Sequence, residues 1–272
     1  MSTMGTVKKW NNYEAPELDG SDSYVTIFIE EGAGGTLEVP EQTNVTIDSK
    51  GKINNGDNLI AINILATSKV IWKAEYVSEL EKGIIIPISG GGTFEIVDGS
   101  ISDTDDSDEN SVIDATGTED GLTIIVSGGE INATGDKSTA ISASNGSIVK
   151  IVGGVVKSSG TNGTAINCSG EVTISGGIVC ATGELGSVCE ISEPTISGGL
   201  VVERNCETNN SKRITSKVVI SKVEGTIVSY VLEEYADGKT NGLNVIPKGI
   251  NVSWRTQNGN KGIKHPNGFF AV

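Results

Sequence analysis

Residues 174–183 read Ile174-Ser-Gly-Gly-Ile-Val-Cys-Ala-Thr-Gly183, and the phrase recurs along the chain. Val126-Ser-Gly-Gly-Glu-Ile131 leads to Gly135, and Ile151-Val-Gly-Gly-Val-Val156 leads to Gly160. A further copy, Ile196-Ser-Gly-Gly-Leu-Val201, reaches Asn205. The second glycine of each pair (Gly129, Gly154, Gly177, Gly199) returns at spacings of 25, 23 and 22 residues. Self-similarity at a period of this size marks a solenoid, in which each repeat buries its apolar face only against its neighbours.

Inside each copy the apolar residues alternate. Ile124 and Val126 precede the first glycine pair and Ile131 follows it; Val149, Ile151 and Val156, then Val172, Ile174 and Val179, hold the same places. Period-two spacing of β-branched residues describes a strand with one buried face. A second strand follows each corner at Thr139-Ala-Ile141, Thr164-Ala-Ile166 and Ser187-Val188, and a third apolar stretch leads into the next copy. Three short strands per turn, joined by Gly and Asn corners, predict an all-β chain wound as a right-handed parallel β-helix, a single-stranded solenoid. Six places past each glycine pair stand Gly135, Gly160, Gly183 and Asn205. The weaker copy Ile96-Val-Asp-Gly-Ser-Ile101 puts Asp105 there. Asn and Asp are the side chains that best tolerate positive φ, so this column is expected to hold left-handed turns.

Degenerate rungs extend the array at Val45-Thr-Ile47 and at Val218-Val-Ile220, to roughly eight rungs of about 4.8 Å each. The ends of such a rod need covers, or their open strand edges would pair with other chains. Aromatic residues stand where covers belong: Trp10, Tyr13, Tyr24 and Phe28 before the first rung, and Tyr230, Tyr235, Trp254, Phe269 and Phe270 after the last. The expected organisation is an N-terminal cap over 1–43, the β-helix over 44–230 and a C-terminal cap over 231–272. Residues 66–92, with Trp72 and Tyr76, break the period and are expected to leave the rod.

Composition sets outer limits. The 36 glycines in 272 residues argue against a helical protein, since each costs about 1 kcal/mol relative to Ala inside a helix. A net charge of −15 argues against nucleic acid, whose phosphates require Lys and Arg. Cys168, Cys180, Cys189 and Cys206 form no CxxC pair, and the single His265 is remote from them, so free thiols, or a chance disulfide between neighbouring rungs, are expected rather than a zinc site. No 18-residue apolar run occurs, so no membrane insertion is expected. Residues 1–10 lack the apolar core of a signal peptide, which leaves open whether the protein stays in the cell or has lost a leader.

The phrases at 126–135 and 174–183 resemble the rungs of bacterial cell-surface β-helix proteins, including the pectate-lyase-like, non-catalytic carbohydrate-binding and adhesin types. Val252-Ser-Trp254 with Gly262-Ile263 and Gly268-Phe269 resembles their closing segment. The likeness implies an extracellular or cell-surface location and a glycan or a surface protein as partner. Calcium-dependent members of that group carry Asp on the strand after the turn; here Thr139-Ala140 and Thr164-Ala165 stand in those places, which removes a regular ladder of calcium sites.

Candidate chemistry lies in two places. The first is the acidic run of Asp103, Asp105, Asp106, Asp108 and Glu109, followed by Asp114. Asp103, Asp105 and Asp114 match places one, three and twelve of a calcium loop, but Asp108 replaces the glycine at place six, so an EF-hand is excluded. An irregular Ca2+ loop and a solvated insertion both remain open; the latter accounts for the 30 residues between Gly99 and Gly129. The second is the outward face of the glycine-pair strands, where Glu130, Val155, Ile178 and Leu200 should form one row and Lys157 and Val202 belong to the next. Its growing apolar character predicts a cover: the C-terminal tail, a partner or self-association. Hydrolysis or elimination of a polysaccharide needs convergent carboxylates, or an acidic metal site with a base, and the strands supply few such groups. The expected function is a non-catalytic, adhesin-like binding protein. A lyase or hydrolase with a divergent site, and a structural rod such as a phage-fibre segment, are the alternatives.

Overall fold

A computed structural model describes residues 5–203, apart from 12, 57, 80–82, 106–108, 118–120, 184–185 and 193. Beyond 203 it describes only the backbone of short strands. The chain is a parallel β-solenoid with six complete turns. Two strands, β1 (Thr6–Trp10) and β2 (Tyr24–Ile29), and then β3 (Gly35–Val39), open the rod. The first complete turn is β4 (Asn44–Ser49), β5 (Lys52–Asn54) and β6 (Ile60–Ile64). The second is β7 (Lys69–Trp72), β8 (Glu75–Ser78) and β9 (Ile84–Ser89). The third is β10 (Thr93–Ile96), β11 (Ser100–Asp103) and β12 (Ser111–Ala115). The fourth is β13 (Thr123–Val126), β14 (Glu130–Ala133) and β15 (Thr139–Ala143); the fifth is β16 (Ile148–Ile151), β17 (Val155–Ser158) and β18 (Thr164–Cys168). In the sixth, the first two strands fuse into β19 (Glu171–Ala181), followed by β20 (Ser187–Cys189) and then β21 (Thr195–Glu203).

Each strand from β1 to β21 pairs in parallel with its counterpart one turn away, giving three columns. In the first column Val45, Val70, Phe94, Ile124, Val149 and Val172 stack directly over one another. All are buried. Each such side chain contributes about 1.5–3 kcal/mol of apolar burial, and the ladder repeats that gain along the rod.

Four expectations change on contact with this register. Residues 66–92 do not leave the rod: β7, β8 and β9 make a full turn in register with both neighbours. Trp72 and Tyr76 replace aliphatic core residues there, packed edge-to-face at 6.0 Å with Phe94 beside Trp72. Parallel pairing also begins within 1–43, because β1 joins β2 and β2 joins β4. The cover at that end is the segment from Tyr13, whose Ala15 and Leu18 pack on the core, while Trp10 is buried and donates Nε1–H to Gly34 O at 2.8 Å. Where a rung was expected from Val218 to Ile227, β22 (Val219–Val223) pairs antiparallel with β23 (Thr226–Ser229). The cap expected over 231–272 lies outside the described residues except for two short antiparallel strand pairs.

The fourth change concerns the corners. The left-handed column is the second glycine of the pair, with φ of 70° at Gly99, 65° at Gly129 and Gly154, and 71° at Gly177. Gly160 and Gly183 need no positive φ; a Cβ on either would run into the glycine carbonyl one turn below. The left-handed residues of that corner are Lys137 and Asn162, both at φ 56°, aligned with Glu109 at 71°. Close approach, not handedness, selects glycine six places on.

Gly146 and Gly129 separate these two causes. At Gly146 φ is 89° and an added Cβ meets nothing within 4 Å, so Gly146→Ala is expected to cost only the left-handed strain, about 1–2 kcal/mol. At Gly129 a Cβ would also stand 2.8 Å from Asp98 O, so Gly129→Ala should lose a further ~1–3 kcal/mol by denaturant unfolding. Equal losses would show that backbone strain alone accounts for the glycine.

Candidate binding groove

The third column carries the feature that strand alternation misses. In β12 both Val112 and Ile113 face the core, as do Ala140 and Ile141 in β15 and Ala165 and Ile166 in β18. Two successive inward residues bend the strand so that its outer surface becomes concave, and outward side chains at positions i and i+3 converge. Ser111 Oγ and Ser142 Oγ lie 3.0 Å apart across this bend. Two turns further along the column Thr164 Oγ1 donates to Glu190 Oε2 at 3.3 Å. The shielding is measurable: Thr139, Ser142 and Thr164 are 8%, 5% and 4% exposed although they face outward. Thr93 and Thr123, on the flat first column, are only half-buried.

The bend recurs in β9 and β20, so the groove spans five turns, about 19 Å along the rod. One wall is the row Ile84, Ser111, Thr139, Thr164, Ser187. The other runs from Pro87 through Asp114 and Ser142 to Asn167, with Glu190 next in register. Asn167 Oδ1 is buried without a hydrogen-bond partner. Asp114 is held at the rim by the amide of Thr116, which donates to its Oδ1 at 2.8 Å. The signal was present in the sequence as the repeated pattern Ser/Thr, small or β-branched, Ile or Cys, polar at 111–114, 139–142, 164–167 and 187–190. A strict period-two reading passes over it.

The acidic run is divided by this fold. Asp103 closes β11 facing inward and is fully buried. The Asp105 amide donates to its Oδ1 at 3.1 Å and Asn110 Nδ2–H to its Oδ2 at 3.1 Å. Asn110 accepts from Gly83 N–H at 2.7 Å, and Thr134 Oγ1 donates to Asp103 O and Asp105 O. Asp103 and Asn110 therefore pin both ends of the insertion. Glu109 lies at the next corner, 3.5 Å from Lys137, and Asp114 belongs to the groove. Asp106 and Asp108 lie outside the described residues, and among those described no three His, Cys, Asp or Glu side chains gather as a metal site.

The outward face of the second column is in register as expected, with Ser100, Glu130, Val155, Ile178 and Leu200 aligned. Lys157 and Val202 flank Cys180 in the adjacent row. Ile178 packs against the core and Cys180 is 8% exposed, so this strip is partly covered; the side chains of Leu200 and Val202 lie outside the description. Burial pushes the Cys180 thiol above its ordinary value, with Lys157 opposing and Glu130 reinforcing. Cys168 and Cys180 are free thiols, and Cys206 is outside the described residues. Among the described residues no helix is long and apolar enough to cross a membrane. No protein-family model matches the chain, and no curated protein or solved structure matches it.

Burial raises the Asp103 carboxyl above the ordinary 3.8; the Asn110 and Asp105 amides offset part of the rise and the Asp105 charge adds to it. A raised folded-state value means that the site favours the fold in acid and loses that contribution as pH climbs past the unfolded value. Asp103→Ala strips a buried donor, Asn110 Nδ2–H, and the half-buried Asp105 amide of their acceptor and should cost about 1–3 kcal/mol. The loss is expected to be larger below the ordinary Asp value than near neutrality, whereas Asp114→Ala should change stability by less than about 0.5 kcal/mol. Calcium and EDTA should leave the unfolding midpoint unchanged. A rise with calcium would reveal an ion bound to the native loop through mass action.

Proposed function

We propose that this chain is a non-catalytic binding module that holds a glycan along the concave outer face of its third column. The observation that supports the reading is the groove itself: over its last four turns one wall repeats a hydroxyl side chain and the other a carboxylate, hydroxyl or carboxamide. Such groups donate and accept hydrogen bonds in the way a polyhydroxylated chain requires. An extended hexose chain advances by about one rung spacing per residue, so each sugar meets the same pair of wall positions. An extended peptide advances about 3.3 Å per residue and falls out of step with rungs about 4.8 Å apart. The two acids of the groove, Asp114 and Glu190, stand three turns apart, about 14 Å. Glycoside hydrolysis places its carboxyl pair within roughly 5–9.5 Å, so the groove favours holding a chain over cleaving it.

A glycan array with two tryptophan substitutions tests this reading. Asn167→Trp, in the groove, should weaken binding of a linear glycan at least tenfold. Lys150→Trp, on the flat first column, should leave it unchanged, with circular dichroism confirming that both variants fold. Equal binding by the two variants would move the site elsewhere. Absence of any glycan binding would leave a protein partner or a structural rod as the better description.

A further inference from the structure

We infer that Asn145 is a self-modification site, where the backbone nitrogen of Gly146 attacks the side-chain amide and converts it to aspartate and isoaspartate. Glycine leaves that nitrogen open, because it carries no β-carbon beside the attacking atom. A bond forms from Gly146 N to Asn145 Cγ, and the carboxamide nitrogen leaves as ammonia, taking the Gly146 N–H proton. The five-membered succinimide that remains is opened by water at either carbonyl. One opening restores the main chain as aspartate; the other routes it through the side chain as isoaspartate. Water is the only co-reactant, and each conversion adds one carboxylate.

Three described asparagines precede a glycine, Asn55, Asn145 and Asn162, and the fold holds them differently. Asn55 is 2% exposed. Its Nδ2 donates to Ala33 O, Asn58 O and the Tyr76 hydroxyl, and its Oδ1 accepts from Gly32 N–H. The next amide, Gly56 N–H, is also engaged, by Asn54 Oδ1 at 3.3 Å. Asn162 is exposed but Gly163 is buried, donates N–H to Gly160 O at 3.0 Å and lies against Ser158 Oγ.

Asn145 and Gly146 are both exposed. Among the described residues neither the Asn145 side chain nor Gly146 N–H makes a hydrogen bond. Their corner is a type II turn: Ser147 N–H donates to Ser144 O at 3.2 Å, and Gly146 has a φ of 89°. This turn points the Gly146 nitrogen away from the side chain, so Asn145 must rotate about ψ to reach attacking geometry. At Gly146 the space is open, since an added Cβ meets nothing within 4 Å, and the rotation gives up one turn hydrogen bond. At Asn55 it would break four side-chain bonds, and at Asn162 it would move a buried amide.

The test is to age the folded full chain in mildly alkaline buffer, digest it with trypsin and locate aspartate and isoaspartate by tandem mass spectrometry. Asn145, in the peptide from Ser138 to Lys150, should convert faster than Asn55 and Asn162 by roughly tenfold or more, because fewer hydrogen bonds oppose it. In denaturant the three rates should converge. Gly146→Ala should slow conversion at Asn145 several-fold, and an unchanged rate would overturn attack by the Gly146 nitrogen. Conversion of Asn55 or Asn162 as fast as Asn145 in the folded chain would overturn the proposal. So would an intact Asn145 after a synthetic 138–150 peptide has fully converted in the same buffer.

Discussion

Each residue in this rod sits directly above its counterpart one turn away, hydrogen-bonded through backbone amides and carbonyls at a fixed spacing. That register is the constraint on which the rest depends. It converts scattered Val and Ile into continuous ladders, because a residue that faces inward on one turn faces inward on all. It also leaves no room at the corners, where the chain of one turn passes against the carbonyls of the turn below. A β-carbon at Gly128, Gly153 or Gly176 would collide with the carbonyl of Val97, Ser127 or Val152. The paired glycines are the imprint of that contact on the sequence.

The same register builds the groove. A local bend in one strand would make a dimple. Repeated at Val112-Ile113, Ala140-Ile141, Ala165-Ile166 and Val188-Cys189, it becomes a trough parallel to the rod axis. The small residue in the fourth and fifth turns, alanine, lets the strand fold inward without crowding the core. The polar residues on either side are drawn together by the same movement, so one packing choice inside the rod sets the chemistry outside it. The insertion after β11 fits this scheme, since Asp103 and Asn110 tie its ends to the turn.

Much of this was legible in the primary structure, and the misreadings have physical causes. The repeat, the parallel stacking and the row through Glu130, Val155 and Ile178 follow from spacing alone. The turn at 66–92 was obscured because Trp72 and Tyr76 fill ladder positions with aromatic rings and Lys73-Ala74 replaces the glycine pair, so a pattern of aliphatics and glycines passes it by. Asp103 looked like part of a solvated acidic run because neighbours in sequence share its charge. Its strand parity turns it inward, where Asn110 meets it.

By itself the sequence determined the solenoid, its period and the residues of its core, since period and β-branching are local properties that any stacked chain must satisfy. Which outward positions meet was decided only in three dimensions. Ser111 and Ser142 lie 31 residues apart, and Thr164 and Glu190 lie 26 apart. Their convergence depends on a bend in the backbone and on the rise of one turn over another. Neither is written in any short stretch of residues, because both arise from the packing of each turn against the next.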